Sequence, residues 1–186
     1  ASFFTGKYCE RTGAPRIVEC ACGFLELETT FPDLLHDAGY RTGFYGKNHV
    51  NYACGNRAAF DRMFDDWKHI HRAPYFKEQP GGSKRHTAEL IGDRSVAFLE
   101  SQPKDQPFFL YMSFNIAHAE DRDLRPGIGH FPWPQAEDGL YEDIVPPRPE
   151  LDDPSIFEAL PPVLRDSLNR TRWYWRWDTI EKYNTN

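Results

Sequence analysis

Thr29-Thr30-Phe31-Pro32-Asp33-Leu34-Leu35-His36-Asp37-Ala38-Gly39-Tyr40-Arg41-Thr42-Gly43-Phe44-Tyr45-Gly46 is the stretch that decides the fold, and Gly46-Lys47-Asn48-His49 closes it. Thr29 or Thr30 can cap a helix, with Pro32 in its first turn, where a missing N–H does no harm. Leu34, Leu35 and Ala38 offer a short apolar face, and Gly39 is a natural stop. Tyr40 to Tyr45 then reads as a strand of aromatic and β-favouring residues. The run therefore delivers Lys47 and His49 at the C-terminal end of a strand that follows a helix. In open α/β sheets that edge is where ligands bind. A cation and an imidazole there suit an anionic group, the lysine as a charge and the histidine as a donor or proton shuttle.

A second helix-then-strand unit follows. Residues from about 86 to 101 have helical spacing, with Ala88, Ile91, Ser95, Phe98 and Leu99 on one face. Pro107 to Ser113 is an apolar, aromatic run of strand length. Phe114-Asn115-Ile116-Ala117-His118 comes next and again sets a histidine just past a strand end.

Three blocks resemble the formylglycine-dependent sulfatases. Ala38 to Val50 is similar to the segment carrying that family's G-K-x-H motif, with Asn48 where most relatives have tryptophan. Phe114 to His118 resembles its N-x-P-H element, with Ala117 in place of proline. Ala1-Ser2-Phe3-Phe4-Thr5-Gly6-Lys7-Tyr8 resembles the stretch after the C-x-P-S-R signature, whose cysteine becomes the formylglycine nucleophile. The resemblance covers essentially the whole chain and is most specific in residues 1–8, 29–50 and 107–118. None of Cys9, Cys20, Cys22 and Cys54 stands in the signature pattern. The resemblance thus implies an internal fragment, expected to be inactive alone, whose nucleophile lies in the remaining part of the same polypeptide.

The fold implied is the alkaline phosphatase-like α/β class, part of a mixed sheet flanked by helices. The activity implied is sulfuric ester hydrolysis by attack on sulfur. Lys47, His49 and His118 are the catalytic residues implied, converging on one pocket. Lys47 would stabilise charge on the sulfate and near the leaving oxygen. His49 would orient the formylglycine hydroxyls or take a proton from them. His118 would bind the sulfate and help protonate the leaving group. The family's divalent cation, usually Ca2+, has its ligands N-terminal to the signature and in a D-x-G or D-N-G segment. Neither is present, so no metal ligand is assigned. Family resemblance also implies a small or glycan sulfate ester as substrate and a periplasmic or secreted parent.

Composition bounds the alternatives. The 186 residues suit one domain or a piece of a larger one, and 15% aromatics can pack a core. A net charge of −6 argues against nucleic acid as the main partner. No apolar stretch reaches membrane-spanning length. The Cys20-x-Cys22 spacing is too tight for a zinc pair, and Asn169-Arg170-Thr171 fits the N-glycosylation pattern.

The chain is expected to divide into residues 1–123, with the site residues, a Pro-rich surface loop over 124–162, and a Trp-rich segment over 163–186. Nine of the fifteen prolines fall in that loop, and Ile156 to Leu168 suggests a short helix interrupted by Pro161 and Pro162. Arg172 to Asp178 is dense in aromatics, either a sugar-stacking platform or, more commonly, loop packing. His69 and His71 share one face of an extended segment but read as solvated loop histidines, and Asp61, Asp65 and Asp66 as an exposed acidic cluster needing no metal. Two other readings follow from the same residues: a phosphoester or phosphonoester hydrolase of the superfamily, and a non-catalytic carbohydrate-binding module built on the Trp-rich segment.

Overall fold

The computed structural model describes residues 2–8, 10–12, 28–48, 56–120, 131–147, 150 and 153–166. The chain divides into two compact units, Ala1–Ile116 and Ala117–Asn186.

The first unit opens with a short helix α1 (Ser2–Thr5), followed by α2 (Phe31–Asp37), the strand β1 (Arg41–Gly46), α3 (Asn56–Met63) and β2 (Asp66–His69). A hairpin of β3 (Phe76–Glu78) and β4 (Lys84–His86) then leads straight into α4 (Thr87–Glu100) and β5 (Phe108–Ser113). The sheet has the order β2-β1-β5 and both pairings are parallel. Gly46 lies opposite His69 on one side and Ser113 on the other. Antiparallel pairing among the described residues is confined to β3 and β4. This is the α/β architecture that the sequence implied.

β1 is buried from Thr42 to Gly46, as a central strand covered on both faces must be. Alternation sends Phe44 to one face and Tyr45 to the other. Phe44 joins Phe4, Ala59, Phe60, Met63 and Phe64 in one core cluster, stacking on Tyr111 at 5.3 Å and meeting Phe60 edge-on at 5.2 Å. Tyr45 packs with Ile70, Ile91 and Phe98 in the other. Its hydroxyl donates to Asp66 at 2.7 Å; burial first, then that carboxylate, raises its pKa well above the ordinary tyrosine value. Gly43 lets α4 close in, because a Cβ there would stand 2.9 Å from the Phe98 ring. Arg41 fastens the other end of the packing, donating to the Phe98 carbonyl at 3.1 Å with its guanidinium 4.3 Å over the ring.

Two local expectations give way. Thr30 is the cap of α2 and forms a capping box with Asp33, but Leu34 is 59% exposed and Ala38 is exposed too. What α2 buries is its first turn. Phe31 packs at the aromatic cluster while Asp33 accepts from Thr30 N at 2.8 Å and Arg62 Nε at 2.7 Å. In α4, Ile91, Ser95 and Phe98 are buried as spaced, whereas Leu99 is 44% exposed. Leu99 lies one position round from Phe98, which turns it off the sheet-facing stripe.

In the second unit the described residues are mostly turns. There is a 3-10 turn at Gln135–Glu137, then α5 (Pro154–Glu158) and α6 (Pro162–Arg165), with Pro161 as the cap of α6. The helix expected across 156–168 is thus split where the prolines fall. Trp133 donates to Asp138 at 2.7 Å. The Trp-rich run 172–178 lies outside the described residues.

Asp33 generates a pH prediction. Burial alone would raise its pKa, but the hydrogen bonds from Arg62 and Thr30 outweigh it and hold the carboxyl below its ordinary value. A depressed native pKa means stability is present above the unfolded value and lost as pH falls through the folded one. The stability of the wild-type protein to chemical denaturant should therefore fall from about pH 5 downward. Asp33→Asn should be less stable near neutrality, and its deficit should shrink with acidity. A deficit constant from pH 7 to pH 3 would contradict the role given to the charge.

Candidate active site

The residues that follow β1 are held from both sides by backbone. Ile70 N–H donates to the Gly46 carbonyl at 2.9 Å, continuing the β2 ladder. Lys47 N–H donates to the Ser113 carbonyl at 2.9 Å, continuing the β5 ladder. Lys47 thus leaves the C-terminal end of the central strand with its main chain fixed, at the position expected from the sequence. Gly46 makes this possible. Its φ is +122°, and a Cβ there would stand 2.0 Å from the Ser113 carbonyl oxygen and 3.2 Å from Ile91. Both the backbone conformation and the space exclude a side chain.

His49 lies outside the described residues. Asn48 is described, and its N–H donates to Nδ1 of His69 at 3.3 Å. An imidazole nitrogen that accepts carries no proton, so this bond needs His69 in its neutral, Nε2–H form. His69 is the last residue of β2, half-buried, with its ring edge-on to that of His71 at 4.2 Å. Of the two histidines read as solvated, His71 is exposed, but His69 belongs to a strand end against the Lys47 loop.

The element after β5 is anchored as well. Asn115 is 3% exposed, and its Nδ2 reaches the Ile70 carbonyl at 3.3 Å. The buried Tyr75 hydroxyl donates to the Asn115 carbonyl at 2.9 Å. The side chain of Asn115, which follows β5, therefore bonds to the segment that follows β2, although β1 separates those two strands. His118 belongs to the second unit, where its ring pairs with the Ala119 carbonyl at 2.9 Å. A carbonyl can only accept, so Nδ1 carries the proton and the lone pair of the neutral ring is on Nε2. The convergence of Lys47, His49 and His118 remains an expectation of the sequence.

The acidic cluster is structural. Asp65 accepts from Thr42 N at 2.8 Å, Asp66 from Tyr45 and Asp61 from Trp67 at 3.0 Å. Among the described residues no group of three or more His, Cys, Asp or Glu could hold a metal ion, and no helix is long and apolar enough to cross a membrane.

Residues 1–143 match the family described as Sulfatase. The chain belongs to the sulfatase family. It is 25% identical over 159 residues to the N-acetylglucosamine-6-O-sulfatase of Bacteroides thetaiotaomicron, covering 80% of this chain and 25% of that protein. It is 27% identical over 164 residues to the N-acetylgalactosamine-6-sulfatase of Homo sapiens, covering 73% of this chain and 29% of that one. The chain therefore spans about a quarter to three tenths of the length of these relatives. A solved structure of a protein in complex with its substrate, D-glucosamine-2-N,6-O-disulfate, shares the fold. Its TM-score is 0.53 at 24% identity, over 81% of this chain and 28% of that one.

Gly46→Ala tests the closure of the β1 edge. The methyl group would force the β1 and β5 ends apart, so the variant should lose roughly 2–4 kcal/mol by denaturant titration. Gly39→Ala makes the comparison, since it is equally strained at φ +85° but meets nothing within 4 Å. Equal losses at the two positions would show that strain alone, and not the close approach to Ser113, governs Gly46.

Proposed function

We propose that the protein containing this chain hydrolyses the sulfate ester of a sugar, with Lys47 binding the reacting group. The observation that carries the reading is the position of Lys47 in a member of the sulfatase family: one residue past the central parallel strand, its backbone fixed by Ser113. A primary ammonium carried on that fixed backbone would supply a positive charge to the reacting group. It favours the sulfate oxygens in the ground state and the charge that grows on the bridging oxygen as the S–O bond breaks.

Hydrolysis consumes one water and releases an alcohol and sulfate, so the departing oxygen needs a proton. His118 is proposed to bind the sulfate and deliver that proton, a task for which an imidazole, able to donate at one ring nitrogen and accept at the other, is suited. His49, two residues after Lys47, is proposed to manage the proton on the attacking side. The nucleophile, a formylglycine by family resemblance, is assigned to none of the four cysteines. A divalent cation finds no donor set among the described residues, and no step is assigned to one here. The relatives named for 6-sulfated N-acetylhexosamines support a 6-O-sulfated amino sugar as substrate, and a periplasmic or secreted protein is proposed with it.

The test is turnover by the full-length protein on hexosamine 6-sulfates. Lys47→Ala should lower kcat about a hundredfold or more. His118→Ala should cost most with a poor leaving alcohol and least with an activated aryl sulfate, whose phenolate leaves without a proton. Undiminished turnover by Lys47→Ala would overturn the role of the lysine.

A further inference from the structure

We infer that His69 is a positioning residue for the Lys47 loop, acting through its Nδ1 lone pair on the Asn48 amide. The ladder of the sheet ends where the chemistry is proposed to begin. Gly46 still pairs by its carbonyl with Ile70, and Lys47 by its N–H with Ser113, each at 2.9 Å. The next amide, that of Asn48, has moved past the end of β2 and meets the His69 side chain at 3.3 Å. An imidazole thus extends the ladder by one bond, so that three consecutive residues from Gly46 to Asn48 have their main chain tied to a neighbouring strand or its last side chain.

His69 is itself well placed to hold that bond. It is in register with Gly46 on β2, and the next residue is held twice, through its N–H by Gly46 and through its carbonyl by Asn115 at 3.3 Å. The segment after β2 therefore ties together the loop that carries Lys47 and Asn115, just after β5. A rotation of the Asn48 peptide would redirect the lysine before it. The geometry requires an acceptor at the Nδ1 position and makes no use there of positive charge.

Two substitutions in the full-length protein separate this from mere packing. The Asn side chain places an oxygen where Nδ1 sits, whereas that of Gln places its polar atoms nearer Nε2. His69→Gln should speed hydrogen exchange of the Asn48 amide by about tenfold and lower kcat on a hexosamine 6-sulfate about tenfold, with KM changed less. His69→Asn should keep both within about threefold of wild type, and the thermal midpoints of the two variants should agree. Equal effects of Asn and Gln, or no effect of Gln on Asn48 exchange, would overturn the inference. The kinetic part rests on the proposed sulfatase chemistry, and the exchange measurement does not. If Lys47→Ala retains full turnover while Asn48 exchange still follows Gln and not Asn, the chemistry fails and the positioning role stands.

Discussion

A methyl group cannot be placed on Gly46, because a carbonyl oxygen of the adjacent strand stands 2.0 Å from where its carbon would be. That contact fixes how tightly β1 and β5 approach at the C-terminal edge of the sheet. It holds because β1 is the central strand, covered on one face by Phe60 and Phe64 against Phe44 and on the other by Ile91 and Phe98 against Tyr45. The aromatic packing presses the strands into one register, and the register sets Lys47 beside Ser113. The position of the Lys47 backbone is in this sense a consequence of burial several residues away.

Polar groups settle what the apolar packing leaves open. Asp65 accepts from the Thr42 amide and hydroxyl, and its own N–H returns to Thr42, fastening the start of β2 to β1. Asp66 takes the Tyr45 hydroxyl at the same junction. These carboxylates sit on an exposed segment, where an ion pair contributes little, yet each anchors a specific donor on the central strand. At the other end of β2 the same task falls to neutral groups, the His69 ring and the Ile70 peptide. The acidic end of the strand is therefore kept away from the lysine.

How much of this could be read from residues alone depended on the range of the interaction. β1 was legible because a buried central strand is written locally, in β-favouring aromatics bounded by Gly39 and Gly46. The helix before it was legible in its cap and its proline but not in its buried surface. Leu34, Leu35 and Ala38 suggest an apolar face, yet Leu34 and Ala38 are exposed while Asp33 is held inside by Arg62 from α3, and no periodicity announces a buried carboxylate whose partner is 29 residues away. Lys47 was legible as the residue after a strand. His69 was not, since its acceptor role exists only once β2 lies parallel to β1 with Gly46 opposite it. The spacing of His69 and His71 pointed to a shared face, and the structure gives the two rings one edge-on contact but different exposure.

The asymmetry between Asn48 and the tryptophan implied at that position by family resemblance follows the same logic. A side chain at 48 has little to do with the bond that places the loop, because His69 holds the main-chain N–H and not the side chain. Any non-proline residue offers that donor. The bond to His69 can therefore persist when a large aromatic is exchanged for a small amide at this position. The main-chain path at Lys47 is set instead by the strands on either side, through the Ser113 carbonyl and the His69 ring.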